Sequence, residues 1–112
     1  TIPFGINSNE IDAKHYTLLD RVAAYLVSHS DKIIDVRGYT DSSGPQSYNL
    51  SVSRFRASAV KSYLVGKGVP PSQINVIAMG DNDPLASNET YQGRMTNRRV
   101  EITFIDQAKP NE

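Results

Sequence analysis

A strand, a short polar loop and a long helix follow one another between residues 33 and 67, and this succession constrains the fold most. Residues 33–39 alternate in polarity, with Ile34 and Val36 on one side, as in a half-buried strand. Residues 40–46 are rich in the glycine, proline and serine that sharp turns require. Apolar residues then recur at helical spacing over residues 47–67. The pattern predicts a strand that connects directly to a helix, as in α/β folds.

The same reasoning predicts the remaining elements. A strand over residues 2–6 precedes a helix, which begins after the capping residues 7–9 and ends near residues 28–30. A third strand over 74–79, a short helix near 90–96 and a last strand over 99–104 complete the chain. The predicted order is β-α-β-α-β-(α)-β, with two main helices on one face of a four-stranded mixed sheet. We expect the other face of the sheet to be partly exposed.

Periodicity also predicts which side of each main helix is buried. The predicted inward residues of the first helix are Ile11, Leu18, Val22, Tyr25 and Leu26. Those of the second are Val52, Phe55, Ala59, Val60, Tyr63 and Leu64. With 112 residues the chain is long enough for one core, and we expect one domain over residues 1–106 and a disordered tail over 107–112.

Charge and cysteine content argue against several functions. Twelve basic and twelve acidic residues give a net charge of zero, which argues against bulk electrostatic capture of nucleic acid or anionic lipid. The sequence has no cysteine, hence no disulfide, thiolate nucleophile or cysteine-bound zinc. His15 and His29 lie fourteen residues apart without a third ligand at metal spacing, so we predict neither a metal site nor a cofactor.

The chain contains no apolar segment long enough to span a bilayer. It begins at Thr1 and shows no signal peptide, so we expect a piece of a longer protein. Any membrane attachment would then depend on a segment outside this chain.

Asp41 and Arg56 are the first candidates for a binding site. Asp41 follows the second strand directly, and Arg56 lies fifteen residues later on the long helix. One interpretation is a structural salt bridge between the loop and the helix, which is common and contributes little. The other is a paired site for a zwitterion, in which the guanidinium takes a carboxylate and the aspartate takes an ammonium.

Two separated blocks resemble one known family. Thr40-Asp41-Ser42-Ser43-Gly44, followed by Asn49-x-x-Val52-Ser53-x-x-Arg56-Ala57-x-x-Val60, resembles the signature of the OmpA C-terminal-like domain. Gly93-Arg94-Met95-Thr96-Asn97-Arg98-Arg99-Val100-Glu101-Ile102 resembles the second block of that family. The resemblance extends from about residue 4 to residue 104, and the order of the two blocks makes it specific.

The resemblance implies a fold and a function. The fold would be an α/β sandwich of two main helices on a four-stranded sheet. The function would be non-catalytic binding of bacterial peptidoglycan, which anchors an envelope protein to the wall of a Gram-negative cell. The domain would then lie in the periplasm, and its parent protein would be anchored in the outer or inner membrane.

The resemblance also implies site residues. Asp41 and Arg56 match the positions that hold the side-chain amine and carboxylate of meso-diaminopimelate in the peptidoglycan stem peptide. Thr40, Ser43 and Asn49 match polar positions that hydrogen-bond the peptide, although Asn49 is equally suited to cap the long helix.

Arg98 is a secondary candidate for contact with the ligand. The alternative is that its side chain packs on the sheet or pairs with an acid. Asn7 would lie at the rim of the pocket. There the segment Phe4-Gly5-Ile6-Asn7 departs from the family pattern, because Gly5 replaces a common acid.

Two other functions remain open from the sequence. A small hydrolase acting on the wall would need a metal triad or an activated nucleophile, and we find neither pattern. A protein-interaction or dimerisation module of an envelope regulator or secretion system would keep the fold without wall binding. The missing acid at Gly5 and the zero net charge are compatible with this second alternative.

Overall fold

The computed structural model describes residues 2–3 and 11–105. Their α-helices and strands are β1 (Ile2–Pro3), α1 (Tyr16–Ser28), β2 (Ile33–Tyr39), α2 (Gln46–Gly66), β3 (Ile74–Gly80), α3 (Tyr91–Asn97) and β4 (Arg99–Ile105). The predicted order is confirmed, although only two residues of β1 are described, whereas each of the other strands has seven. The predicted start of the first helix after a cap at residues 7–9 is wrong, because α1 begins at Tyr16 with His15 as its N-cap. The candidate Asn7, the Gly5 departure and the predicted tail at 107–112 lie outside the described residues.

The strands form one mixed sheet in the order β1-β4-β2-β3. Strands β2 and β3 are parallel, and β4 is antiparallel to both β1 and β2. Tyr39, the last residue of β2, pairs with Gly80 at the end of β3 and with Arg99 at the start of β4. The segments that follow β2 and β3 and the residue that precedes β4 therefore meet at one edge of the sheet.

Helices α1 and α2 pack on one face of the sheet, where most of the core lies. The buried apolar cluster consists of Ile2, Leu19, Val22, Ala23, Leu26, Ile34, Val36, Ala57, Val60, Leu64, Val69, Ile74 and Val100. Three predicted inward residues are wrong, since Leu18, Tyr25 and Phe55 are all exposed. The true inner faces are rotated towards Leu19 and Ala23 in α1 and towards Ala57 in α2.

Gly38 allows α2 to approach β2 closely. A Cβ atom at this position would lie 2.0 Å from the Ser53 carbonyl oxygen and 3.3 Å from the Ala57 Cβ. Because the first distance is far below van der Waals contact, only glycine lets the helix backbone rest directly on the strand. The N-terminal half of α2 is thereby held beside the edge where β2 ends.

The other face of the sheet carries polar side chains, and it is partly exposed as predicted. Asp35 pairs with Arg37 across 2.9 Å, and the exposed Asn75 donates to Asp35 at 3.1 Å. Arg99 is buried, pairs with Glu101 across 2.8 Å and stacks its guanidinium 3.7 Å from the centre of the Tyr39 ring. No helix within the described residues is both long enough and apolar enough to cross a membrane.

Candidate ligand-binding site

Asp41 stands at the edge where β2 ends, and two groups hold its carboxylate. Oδ1 accepts a hydrogen bond from the Ser43 backbone N–H at 2.8 Å, which closes a tight turn. Oδ2 accepts from Nη1 of Arg98 at 2.6 Å, and the two residues are each only 5% exposed. The register of β2 and β4 explains this buried ion pair, because Thr40 and Arg98 extend the two strands past their last pair, Tyr39 and Arg99.

Asp41 is ionised at neutral pH. Burial by itself would raise the pKa of its carboxyl group, but the Ser43 hydrogen bonds and the Arg98 guanidinium together outweigh burial. The pKa of Asp41 therefore lies below its usual value. Asp41 itself therefore keeps its negative charge near neutral pH.

Arg56 lies on the inner side of α2 and is almost fully buried. Burial lowers the pKa of its guanidinium, and the nearby charge of Arg98 lowers it further, whereas Asp41 and Tyr48 act in the opposite direction. These four side chains therefore lie close to one another. Arg56 and Arg98 thus place two guanidiniums beside one carboxylate, and a guanidinium has the planar geometry that binds a ligand carboxylate.

The inner side of α2 changes character along its length. Asn49, Ser53 and Arg56 are buried in its first half, whereas Ala57, Val60 and Leu64 are buried in its second half. Spacings of three and four residues place all six side chains on one side of a helix. The first half of α2 contributes to the site and the second half contributes to the core. Because the buried residues of the first half are polar, a prediction from apolar residues alone wrongly assigns Phe55 to the inner face.

Asn49 does not cap α2. The helix begins at Gln46 with Pro45 as its N-cap, so the capping alternative for Asn49 is wrong. Its buried side chain instead donates from Nδ2 to the carbonyl oxygen of Gly44 at 3.4 Å. Gly44 has a φ of 85°, a conformation that favours glycine, so the turn and Asn49 together define the end of the Asp41 loop.

Ser53 joins α2 to the end of β3, a role that sequence reasoning missed. Its hydroxyl donates to the Leu50 carbonyl oxygen at 2.9 Å and accepts from the Gly80 backbone N–H at 3.0 Å. The Gly80 carbonyl oxygen in turn accepts from the Thr40 N–H at 2.7 Å. The only sequence signal for Ser53 was its place in the first family block.

Two buried polar atoms beside Asp41 lack a hydrogen-bond partner among the described residues. They are Oγ1 of Thr40 and Nε of Arg98. Buried polar groups are rarely left unsatisfied in folded proteins, and exceptions deserve an explanation. A polar ligand or water at this edge would provide one.

The structure thus gathers most of the predicted site residues. Thr40, Asp41, Asn49, Arg56 and Arg98 are buried at one edge of the sheet. Ser43 is exposed and contributes its backbone N–H to Asp41. Tyr48, which the sequence did not single out, lies close to Arg56 and is 56% exposed. Within residues 2–3 and 11–105, no three His, Cys, Asp or Glu side chains form a group suited to a metal ion.

Comparisons of sequence and of structure identify similar known proteins. The model of the OmpA family matches residues 3–98. The chain is 39% identical over 106 residues to outer membrane protein A of Bordetella avium, and 40% identical over 101 residues to the peptidoglycan-binding protein ArfA of Mycobacterium tuberculosis. The crystal structure of the peptidoglycan-associated lipoprotein from Burkholderia pseudomallei superposes with a TM-score of 0.90 at 30% identity.

The matched regions differ in extent. The match covers 95% of this chain but 55% of the Bordetella protein, and 90% of this chain but 31% of ArfA. The superposition covers 93% of this chain and 88% of the lipoprotein chain. The chain therefore spans about half the length of the Bordetella protein and about a third of the length of ArfA.

Proposed function

The chain belongs to the OmpA family, and from this premise we propose that it binds bacterial peptidoglycan without catalysing a reaction on it. One observation carries the proposal: the ionised carboxylate of Asp41 lies buried with the guanidiniums of Arg98 and Arg56 at one edge of the sheet. Relatives named as peptidoglycan-binding and peptidoglycan-associated proteins support the choice of ligand.

We further propose that the site recognises the side chain of diaminopimelate in the stem peptide. That side chain ends in both an ammonium and a carboxylate. The carboxylate would take two parallel hydrogen bonds from Arg56, which matches the planar geometry of a guanidinium.

Asp41 has capacity left for the ammonium. An ionised carboxylate offers about four acceptor positions. The Ser43 backbone N–H donates to Oδ1 and Arg98 donates to Oδ2, so neither oxygen is saturated by these two hydrogen bonds. Arg98 would therefore hold the carboxylate in place while its remaining lone pairs accept from the ligand.

The chemistry of these groups favours binding over catalysis. An aspartate whose pKa lies below its usual value is a poor general base near neutral pH, and a guanidinium stays protonated there. The site orients and neutralises a charged ligand instead. We place the domain in the periplasm, where it would attach an envelope protein to the wall through a part of the protein outside this chain.

Sedimentation with purified Gram-negative sacculi tests the proposal. We expect the wild-type domain to co-sediment, and Asp41→Asn and Arg56→Ala each to release it, since removal of one partner of a desolvated charge pair costs about 2–5 kcal/mol. Arg54→Ala is the matched control, because it removes an exposed arginine from the same helix two residues away. Circular dichroism verifies that every variant is folded.

Two results would contradict the proposal. Wall binding that persists in both site variants would remove Asp41 and Arg56 from the site. A folded wild-type domain that does not sediment with sacculi would favour the alternative, an interaction or dimerisation module that has kept the fold alone.

A further inference from the structure

We propose that Asn88 is a positioning residue for the ligand site: it holds the Ser42 backbone N–H and with it the loop that carries Asp41. The inference rests on the proposed function. Asn88 belongs to the loop between β3 and α3, which lies outside both sequence blocks that resemble the family. Its role depends on a chain of hydrogen bonds that begins at the end of α3.

Asn97 is the fixed end of this chain. It is the last residue of α3 and is 0% exposed. Its Oδ1 accepts from the backbone N–H groups of Leu85 and Ala86 at 2.8 and 3.1 Å. Its Nδ2 donates to the Ala86 carbonyl oxygen and to Oδ1 of Asn88, both at 2.9 Å. These four bonds use the full capacity of an amide side chain, so Asn97 holds the loop in one arrangement.

Asn88 transmits this arrangement to the site. Its Oδ1 accepts from Asn97 and also, at 3.3 Å, from the backbone N–H of Ser42. Its carbonyl oxygen accepts from Nη1 of Arg94 at 2.9 Å. The residue is therefore anchored at its backbone and at its side chain, and the single amide oxygen joins residues 42 and 97.

Close packing leaves the loop little freedom to move away from α3. A Cβ atom at Gly93 would lie 1.8 Å from the Ser87 carbonyl oxygen. The Gly93 N–H also donates to Oγ1 of Thr90 at 2.9 Å. Asn88 lies between Ser87 and Thr90 in the sequence, and both of these residues contact Gly93. The backbone that carries the Asn88 side chain is therefore held in place on both sides.

The tie to Ser42 completes the restraint of the Asp41 loop. Thr40 is held by Gly80, Asp41 by Arg98 and the Gly44 carbonyl oxygen by Asn49. Ser42 is exposed, and the bond from its backbone to Asn88 spans 46 residues of sequence. Without it, the loop would gain freedom that ligand binding must then remove, and affinity would fall for that reason.

The test combines NMR hydrogen exchange with calorimetric titration of a diaminopimelate-containing tripeptide. In Asn88→Ala we expect the Ser42 N–H to exchange several-fold faster and the affinity to fall by about threefold to tenfold, the effect of one hydrogen bond. Asn88→Asp keeps an acceptor oxygen and should restore slow exchange of Ser42. Asn82→Ala is the matched control, because Asn82 lies in the same loop and its side chain donates locally, to the Met79 carbonyl oxygen at 2.7 Å.

The possible failures are distinguishable. If the wild type binds the tripeptide and Asn88→Ala binds it equally well, the positioning role is overturned while the proposed function stands. Unchanged Ser42 exchange in Asn88→Ala overturns it as well. If the folded wild type binds neither tripeptide nor sacculi, the proposed function fails and the positioning role fails with it.

Discussion

Asp41 shows that a salt bridge and a ligand site need not be alternatives. Its ion pair with Arg98 is buried, and removal of one partner from such a pair is strongly destabilising. The same pair fixes the carboxylate and keeps it ionised, which is the state that would accept a ligand ammonium. The structural partner of Asp41 and its proposed ligand therefore use different lone pairs of one carboxylate.

Replacement of Arg56 by lysine tests whether ligand binding needs only a positive charge or two parallel hydrogen-bond donors. Lysine keeps the positive charge but presents a compact, strongly hydrated ammonium, which cannot offer two parallel hydrogen bonds to one carboxylate. We expect Arg56→Lys to stay folded and to bind a diaminopimelate tripeptide nearly as weakly as Arg56→Ala, as measured by calorimetric titration.

The ligand can be changed instead of the protein. A tripeptide with lysine in place of diaminopimelate lacks the side-chain carboxylate, so it should bind wild type as weakly as the intact ligand binds Arg56→Ala. If Arg56→Lys binds within about threefold of wild type, or if both tripeptides bind equally well, Arg56 does not read that carboxylate.

Among the elements, α2 serves two purposes on one face. Its buried residues are polar up to Arg56 and apolar from Ala57 onward. Gly38 and Ser53 hold the first half against the ends of β2 and β3, and the apolar second half packs into the core. Packing of the second half of α2 in the core therefore holds Arg56 in position.

Stability measurements can test the corrected orientation of α2. Leu64→Ala removes a fully buried core side chain and should lower the free energy of unfolding by about 2–5 kcal/mol. Phe55→Ala truncates a larger side chain that is 67% exposed, and its effect should stay within about 0.5 kcal/mol. Urea denaturation followed by circular dichroism gives both values. A larger loss in Phe55→Ala than in Leu64→Ala would show that the apolar stripe predicted from the sequence is the true inner face.

At the scale of the whole molecule, charge is balanced overall and concentrated locally. The net charge is zero, yet two arginines and one aspartate are buried together at one edge of the sheet. Long-range attraction to a charged wall would therefore be weak, and recognition of the proposed ligand would depend on short-range contacts within the site.

The salt dependence of binding follows from this distribution. Exposed charges are screened over about 8–10 Å at moderate ionic strength, whereas buried pairs are screened much less. We expect the affinity for the tripeptide to change by less than about threefold between about 0.05 and 0.5 M NaCl, measured by calorimetry. A fall of tenfold or more would indicate capture by surface charge rather than by the buried site.

The order of elements was determined by the sequence itself. Alternation over residues 33–39, turn residues after Tyr39 and helical spacing up to Gly66 are local signals, and the structure confirms the elements they predict. The two family blocks likewise contain Thr40, Asp41, Asn49, Arg56 and Arg98, so the sequence alone indicates these candidates. Local propensity and family pattern are readable along the chain because each depends on neighbouring residues.

Tertiary structure alone decided which residues meet. Asp41 and Arg98 are 57 residues apart, and they pair because the antiparallel register of β2 and β4 brings their ends together. Asn88 reaches Ser42 only because Asn97 and the tight packing at Gly93 hold its loop. The inner face of α2 was misread at Phe55 because polar site residues occupy positions where periodicity expects apolar ones. Such partners leave no local signal, since strand register and helix packing are set by the energy of the whole core rather than by the residues at the site.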